Sequence, residues 1–556
     1  MSSILLSLLT TIAVRRKEEF IAQTHHLESV QNQFLLTLLK TYQNTVLGQK
    51  WKIGEIKTVE QFRDRIPILP YSFYHPYMEQ ISQGQANILT SDPVVYLNLT
   101  SGTTSKKKLI PVTKRSRKKR QLVNQVAQGF LAEAIQKRGI SLGKMLLTSS
   151  VKLAGYTQSG IPYGPVSVGD LRLSNFLYKQ IFVHPYQALQ SSDSLARHYV
   201  CLLFALQYPY LGVLGANFPV LALRLADYLE SYAEELIEDL KTGTIAPWLP
   251  LEPPLRASLE KQLKPQPQRA ARLREILKAE GCLTPQLAWS SIGCIVTARG
   301  GTSSFYFQRF PAHFGDTPVF GGIYASAEAT FGVYSDLNDD HTILAINSGF
   351  YEFIPQEQWE AEQPKTLLPQ EVKVGQPYRI LVTNYNGFYR YDIGDVVEVV
   401  GFYHQTPIIT FRYRYKGLLS STTEKTTEYH VTQVMGQLQQ EFSVPLESFC
   451  VTLSEQEIPP HYLVNIELRP GYRLNNPEYF VTRFDDKLKQ IHTSYALKRK
   501  DQVPPPRLRI LAPGSFAQVR QRLLDRGIPE SHLKLPHISE DRQFLAGLNV
   551  EQEITA

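Results

Sequence analysis

Three segments of this chain gather side chains that can do chemistry. The first runs Leu97-Asn98-Leu99-Thr100-Ser101-Gly102-Thr103-Thr104-Ser105-Lys106-Lys107-Lys108-Leu109-Ile110-Pro111, hydroxyls and one glycine followed by three lysines. A loop that turns backbone N–H groups and hydroxyls toward one point, with ammonium groups beside it, suits a polyphosphate. Gly102 has no second glycine at the Walker A spacing, and a solvated Ser/Thr turn ahead of a basic helix has the same composition. The second segment, Phe320 to Gly332, sets Tyr324, Ala325, Ser326, Ala327 and Glu328 among small residues that let a ligand approach the backbone. Glu328 offers the hard carboxylate oxygen that Mg²⁺ takes, although a structural loop glutamate fits the pattern too. In the third, Asn386-Gly387-Phe388-Tyr389-Arg390-Tyr391-Asp392-Ile393-Gly394-Asp395-Val396-Val397, the carboxylate of Asp395 follows a turn glycine and precedes a strand. An acceptor-only group there takes both hydroxyls of a ribose, or makes an Asx-type turn into the strand. Downstream, Phe411 to Gly417 alternates aromatics with Arg412, Arg414 and Lys416, which at a period of two puts the cations on one strand face.

The elements that must position these groups follow from apolar spacing and turn signals. A helix is predicted from about Lys17 to Leu47 with Gly48 as its stop, and Thr58 with Gln61 make a capping box for a short helix ended by Pro67 and Pro70. Helices are also expected over Ser192 to Gln207 and Pro219 to Lys241. Short β-rich runs then dominate, at Gly293 to Thr297, Pro318 to Tyr324, Thr342 to Ile354, Tyr378 to Thr383 and Val396 to Phe402. After about Gly417 a smaller alternating set appears: helices at Thr432 to Glu441, Pro477 to Lys498 and Ser515 to Asp525, strands at Ser448 to Thr452, Tyr462 to Leu468 and Arg507 to Leu511. The expected organisation is therefore a large N-terminal domain, residues 1–417, and a small C-terminal cap, residues 418–556.

Composition narrows the class. With 556 residues, 43% hydrophobic and 20% charged, the chain reads as globular and not as collagen-like, coiled-coil or disordered. Cys201, Cys282, Cys294 and Cys450 lie far apart without a Cys-x-x-Cys pair, which argues against a zinc knuckle or disulfide framework and for a reducing, cytoplasmic setting. The apolar stretch Ile4 to Val14 is too short to span a bilayer, and its charges follow it, the reverse of a secretory signal. It is expected to be a buried or helix-packing N-terminus, with membrane association and a cleaved signal as the alternatives. The net charge of +8 is concentrated in residues 106–120, nine cations with no acid, where a nucleic-acid patch, a solvated helix face or an ATP-steering surface are all open.

In order along the chain, these segments resemble the acyl-adenylate-forming superfamily and, more narrowly, the auxin-responsive acyl-acid amido synthetase family. The narrower resemblance rests on Thr100 to Pro111, Tyr324 to Glu328, Gly349-Phe350-Tyr351-Glu352-Phe353-Ile354-Pro355 and Tyr389 to Asp395. Leu418-Leu419-Ser420 with Glu424, Lys425 and Glu428, and Pro513-Gly514-Ser515-Phe516, extend it. The resemblance implies a mixed α/β fold: a large body with a β-barrel and β-sheets flanked by helices, and a small mobile α+β cap. It also implies an ATP- and Mg²⁺-dependent ligase that converts a carboxylic acid to an acyl-adenylate, releasing pyrophosphate, and passes the acyl group to an amine, usually an amino acid. By the same carry-over Thr100, Ser101, Gly102, Thr103, Thr104 and Ser105 hold the ATP phosphates with Lys108 beside them. Tyr324 to Glu328 line the nucleotide with Glu328 on the metal, Phe350 packs on the adenine, Asp395 takes the ribose and Arg414 supports it. Lys425 and Lys534 compete to supply the cation at the α-phosphate that such a transfer needs.

The chain departs from this family at Ser105-Lys106, where relatives commonly have a glycine, and at Asp392, where plant members commonly carry arginine. Coenzyme A ligation shares the first half-reaction and is the alternative within enzymes, while a nucleic-acid-binding protein acting through residues 106–120 is the alternative from another class. Neither Gly-x-Ser-x-Gly nor His-Glu-x-x-His occurs, so a serine hydrolase or zinc protease is not suggested.

Overall fold

A computed structural model describes residues 2–99, 108–140, 143–170, 175–301, 303–415, 417–528, 530 and 533–555. The phosphate-loop residues Thr100 to Ser105, with Lys106 and Lys107, lie outside the described residues, as does Lys416. The chain forms two compact units. The larger takes in Met1–Ile393, Val397–Phe411 and Glu530–His532; the smaller takes in Gly394–Val396, Arg412–Pro529 and Leu533–Ala556.

Three sheets build the larger unit. In one, strands Val94–Leu99 and Leu109–Thr113 pair antiparallel with Leu99 opposite Leu109, which brings together the two ends of the hydroxyl-and-lysine segment. A second sheet runs Met145–Leu147, Tyr210–Gly215, Ser291–Val296 and Val319–Phe320, all parallel. Its close join requires glycine: a Cβ on Gly212 would stand 2.1 Å from the Gly143 nitrogen. The last of these parallel strands leads straight into the Glu328 loop, the side of an α/β sheet where ligands commonly bind.

The third sheet has seven strands in the order Phe350–Pro355, Pro377–Asn384, Phe388–Tyr403, Thr406–Arg414, Thr342–Leu344, Thr330–Tyr334 and Ile323–Ala325. No pairing joins its first and last strands among the described residues, so the barrel that the family resemblance implied is not shown. The mixed α/β character is as expected.

Helix Lys114–Lys137 carries the basic run and starts with a reciprocal cap, in which the Ser116 N–H donates to Thr113 Oγ1 at 3.1 Å and the Thr113 N–H to Ser116 Oγ at 3.0 Å. Val123, Val126, Ala127 and Phe130 form its inner face. Gly129 lets helix Ser2–Thr24 come so near that a Cβ there would sit 2.4 Å from the Ala13 carbonyl oxygen. That first helix packs through Ala13, Lys17 and Phe20, but Leu8, Leu9 and Ile12 are exposed, so the apolar N-terminus is helical without being buried throughout. The helix expected from Lys17 to Leu47 divides into Ser2–Thr24, Leu27–Tyr42 and Val46–Lys50. Gly48 is not a stop, because Thr45 caps a new turn by accepting the Gly48 N–H.

The smaller unit has a sheet ordered Leu446–Leu453, Tyr462–Leu468, Arg507–Leu511 and Val550–Thr555, flanked by helices Glu428–Phe442, Pro477–Ile491 and Ser515–Asp525. All four cysteines are free; Cys201, Cys294 and Cys450 are buried. Among the described residues no helix is long and apolar enough to cross a membrane.

Candidate active site

The Glu328 loop is held by its own backbone. Ser326 Oγ accepts the Glu328 and Ala329 N–H groups at 3.1 and 3.2 Å, and the Ser326 N–H donates to the Ala329 carbonyl at 2.8 Å. Asn384 Nδ2 donates to the Glu328 carbonyl at 2.9 Å, and Asn98 Nδ2 to the Ala327 carbonyl at 3.2 Å. Tyr324 stacks on Phe331 with ring centres 5.1 Å apart. These bonds spend the backbone polar groups and leave the Glu328 carboxylate to point into a cleft that it lines. Glu328 is only 5% exposed, and among the described residues its carboxylate accepts one hydrogen bond, a long one of 3.5 Å from the Tyr391 hydroxyl. No Lys, Arg or His of the described residues pairs with it.

A buried carboxylate without a cation costs several kcal/mol unless something else neutralises it, so the site fits a hard divalent ion. No group of three or more Asp, Glu, His or Cys capable of holding a metal occurs among the described residues. That donor set suits Mg²⁺ held by one carboxylate, substrate phosphates and water, and does not suit a protein-caged metal.

The opposite wall of the cleft is the basic helix, through Ser116, Arg117, Lys119 and Arg120. Helical spacing splits the basic run: Lys114, Arg115 and Lys118 are exposed, while Arg117, Lys119 and Arg120 turn inward. Arg117 donates to the Gly169 carbonyl, and Arg120 Nη1 to the Ser326 carbonyl at 3.3 Å, which ties this helix to the Glu328 loop. Lys119 stands over the rings of Phe34 and Tyr385, 5.4 and 5.6 Å from their centres. Burial, with Arg115 and Lys118 nearby, pulls its ammonium below the ordinary lysine range. Lys108, at the far end of the hydroxyl segment, lies 5.2 Å over the Tyr71 ring.

Behind the Glu328 loop, strand Phe388–Tyr403 is fixed by buried charge. Arg390 Nε and Nη2 donate to the Glu352 carboxylate at 2.9 to 3.2 Å, and Arg390 Nη1 donates to the Arg63 and Ile66 carbonyls at 2.7 Å. Arg390 adopts a left-handed backbone, φ 43°, an uncommon conformation that these bonds hold in place. Asp392 is paired with Arg379 Nη2 at 2.7 Å on the adjacent strand. Phe350 is 1% exposed and packs edge-on against Phe62 in the core.

In the smaller unit Asp395 is buried and accepts from Arg414 Nε at 2.8 Å. Lys534 lies 3.6 Å from Glu428, whose Oε1 also accepts the His537 N–H at 2.9 Å. Burial pushes the Glu428 carboxyl up, but Lys534 and His537 outweigh it and hold the group below its ordinary value. Lys425 is exposed, with φ 58° and its N–H on Ser420 Oγ at 2.8 Å.

Sequence reasoning passed over Asn98, Asn384 and Tyr391 as site residues and left Lys119 in an undifferentiated run. The signal for Lys119 was present: stepping back from Val123 and Val126 by helical intervals arrives at Ser116, Lys119 and Arg120.

The larger unit sets a buried carboxylate against cations and is joined in the chain to a small α+β unit, and the fold as a whole is similar to that of an acyl acid amido synthetase. The fold matches the solved "GH3.15 acyl acid amido synthetase" with a TM-score of 0.84, 22% identity and 97% of both chains covered. It also resembles 2-hydroxyisobutyryl-CoA ligase in the postadenylation state, with a TM-score of 0.50, 11% identity and 96% of this chain and 90% of that one covered. The chain belongs to the GH3 family: residues 16–319 match the GH3 family N-terminal domain, residues 342–414 the central domain and residues 429–543 the C-terminal domain. Among its relatives, indole-3-acetic acid-amido synthetase GH3.17 of Arabidopsis thaliana is 25% identical, over 92% of this chain and 91% of that protein. Indole-3-acetic acid-amido synthetase GH3.3 of the same plant is 24% identical, over 92% of this chain and 89% of that protein.

Proposed function

We propose that this protein is an ATP-dependent ligase of the acyl-acid amido synthetase type: it adenylates a carboxylic acid and transfers the acyl group to an amine, most simply an amino acid. The carrying observation is the buried carboxylate of Glu328, which no cation of the described residues pairs with, in a cleft that is also lined by cations. That arrangement suits Mg²⁺ on Glu328 and anionic substrates on the helix, and family membership supports it.

In this reading Thr100, Ser101, Gly102, Thr103, Thr104 and Ser105, with Lys108, hold the ATP phosphates, and Tyr324, Ala325, Ser326 and Ala327 line the nucleotide. Asp395, oriented by Arg414, takes the ribose hydroxyls. Bound Mg²⁺ supplies charge neutralisation at the phosphates. The acid's carboxylate oxygen attacks the α-phosphorus and pyrophosphate leaves. The amine nitrogen then attacks the acyl carbon, its C–O bond to AMP breaks and the amine gives up a proton. Lys534 or Lys425 stabilises the charge that builds at the α-phosphate; Lys534 must leave Glu428 to do so. Four free cysteines support a reducing, cytoplasmic setting.

The fold likeness to a coenzyme A ligase supports thioester formation as the second reading; the amine is preferred because the relatives matched over nearly the whole chain are named amido synthetases. A nucleic-acid role is disfavoured, since half of the helical basic run faces the cleft. The test is a carboxylic-acid panel assayed for ATP-dependent pyrophosphate release, then mass spectrometry of products formed with amino acids or coenzyme A. Pyrophosphate release followed by an amide is expected; no release with any acid overturns the proposal.

A further inference from the structure

Lys119 is a cation without a counter-charge among the described residues. It is half-buried, it lines the cleft, its ammonium rests on two aromatic rings, and no carboxylate of the described residues pairs with it. Its surroundings add to the charge: Arg117 in the same wall is satisfied by a backbone carbonyl, which bonds the guanidinium without neutralising it. Both sit in the first two turns of helix Lys114–Lys137, the positive end of the helix dipole, with no acidic residue in the first turn. Burial depresses the Lys119 ammonium first, and the charges of Arg115 and Lys118 add to that; the helix dipole likewise disfavours cations at this end. An anion bound in the cleft relieves all three penalties together.

The position of Lys119 indicates which anion. The carboxylate that reacts must reach the α-phosphate beside Glu328, and Arg120, bonded to Ser326, marks where the helix meets that loop. Lys119 is turned about 100° around the helix from Arg120 and stands over the rings of Phe34 and Tyr385, the second of which lines the cleft. We infer that the acid activated by this protein carries a second anionic group, and that Lys119 is the specificity residue that pairs with it while Phe34 and Tyr385 present their rings beside it. This inference rests on the adenylation reading for its setting and deepens it by naming the substrate class, an acid with two negative charges.

Matched acids on one skeleton test it with the full-length protein: benzoate against isophthalate, and hexanoate against adipate. In pyrophosphate exchange the dianion of at least one pair should have kcat/KM about tenfold or more above its partner, the size of a single buried charge pairing. Lys119→Met should erase that preference by raising KM for the dianion with kcat little changed, and Lys119→Arg should restore it. Thermal unfolding without ATP is the second readout: the dianion should raise Tm of the wild type and of Lys119→Arg but not of Lys119→Met. Equal use of both members of each pair, or a preference that survives Lys119→Met, overturns the inference. If no acid releases pyrophosphate yet the dianion still stabilises only the Lys119-containing protein, the anion site stands and the adenylation reading falls. Absence of both signals removes the site.

Discussion

Replacing Arg390 by Met should destabilise the larger unit by about 3–5 kcal/mol, the cost of stripping one partner from a buried ion pair. Glu352 is 1% exposed and Arg390 6% exposed. Without the guanidinium, Glu352 keeps a bond from Thr366 Oγ1 at 2.6 Å and a distant Arg63 Nε at 3.6 Å, and the Arg63 and Ile66 carbonyls lose their donor. All four tryptophans, Trp51, Trp248, Trp289 and Trp359, belong to the larger unit, so indole fluorescence during urea unfolding follows that unit alone. The midpoint should fall by on the order of 1 M, given a urea dependence of roughly 3 kcal/mol per molar or more for a unit of this size. The double variant Arg390→Met, Glu352→Met removes both charges, so its loss should be smaller than the sum of the two single losses by at least about 2 kcal/mol. A single variant within about 1 kcal/mol of the wild type, or strictly additive losses, would refute the view that this pair fixes the strand bearing Tyr391.

Other consequences can be checked separately. Asp395→Asn, which removes the charge that Arg414 holds, should raise KM for ATP about tenfold, ~1.4 kcal/mol, with Tm nearly unchanged; an unaltered KM removes Asp395 from the ribose. Glu530 is buried among Arg197, Arg224 and Ser194; burial raises its carboxyl, but His198 and the two arginines prevail and hold it at about 2. Its folded value lies below the unfolded one, so its stabilisation, of order 2–3 kcal/mol, is complete above about pH 4.5 and lost as pH falls toward 2; Glu530→Gln should flatten that decline in urea unfolding. Gly212→Ala drives a Cβ to 2.1 Å from the Gly143 nitrogen and should cost about 1–3 kcal/mol, read from the same fluorescence transition.

Legibility in the sequence followed the strength of local pattern. Strands Tyr462–Leu468 and Arg507–Leu511 and helix Ser515–Asp525 stand at the expected boundaries because alternating or helical apolar residues are bracketed by Pro and Gly. Strand Val550–Thr555 escaped notice because only Ile554 is buried, so no apolar alternation announces it. The expected helix Pro219 to Lys241 is two, Pro219–Ser231 and Ala233–Thr242, since a break at Tyr232 leaves the apolar spacing almost intact. Glu328 was singled out by its small neighbours, but its lack of a cation is a tertiary fact. For Phe350 the pattern is silent, since an aromatic in a family motif looks the same whether it faces a ligand or a core. The basic run left a nucleic-acid patch, a solvated face and a steering surface open, because a line of nine cations does not show that a period of 3.6 residues deals the helical ones to two faces.

The buried thiols also make the chain its own reporter of unfolding. Burial raises Cys201 and Cys294 to about 12 and Cys450 well above its ordinary value, so none presents a thiolate to an alkylating reagent while its surroundings stay packed. Cys450 sits in the core of the smaller unit and Cys201 and Cys294 in the larger. Pulse labelling followed by peptide mass spectrometry would therefore time the opening of each unit separately, from native residues and without an introduced probe.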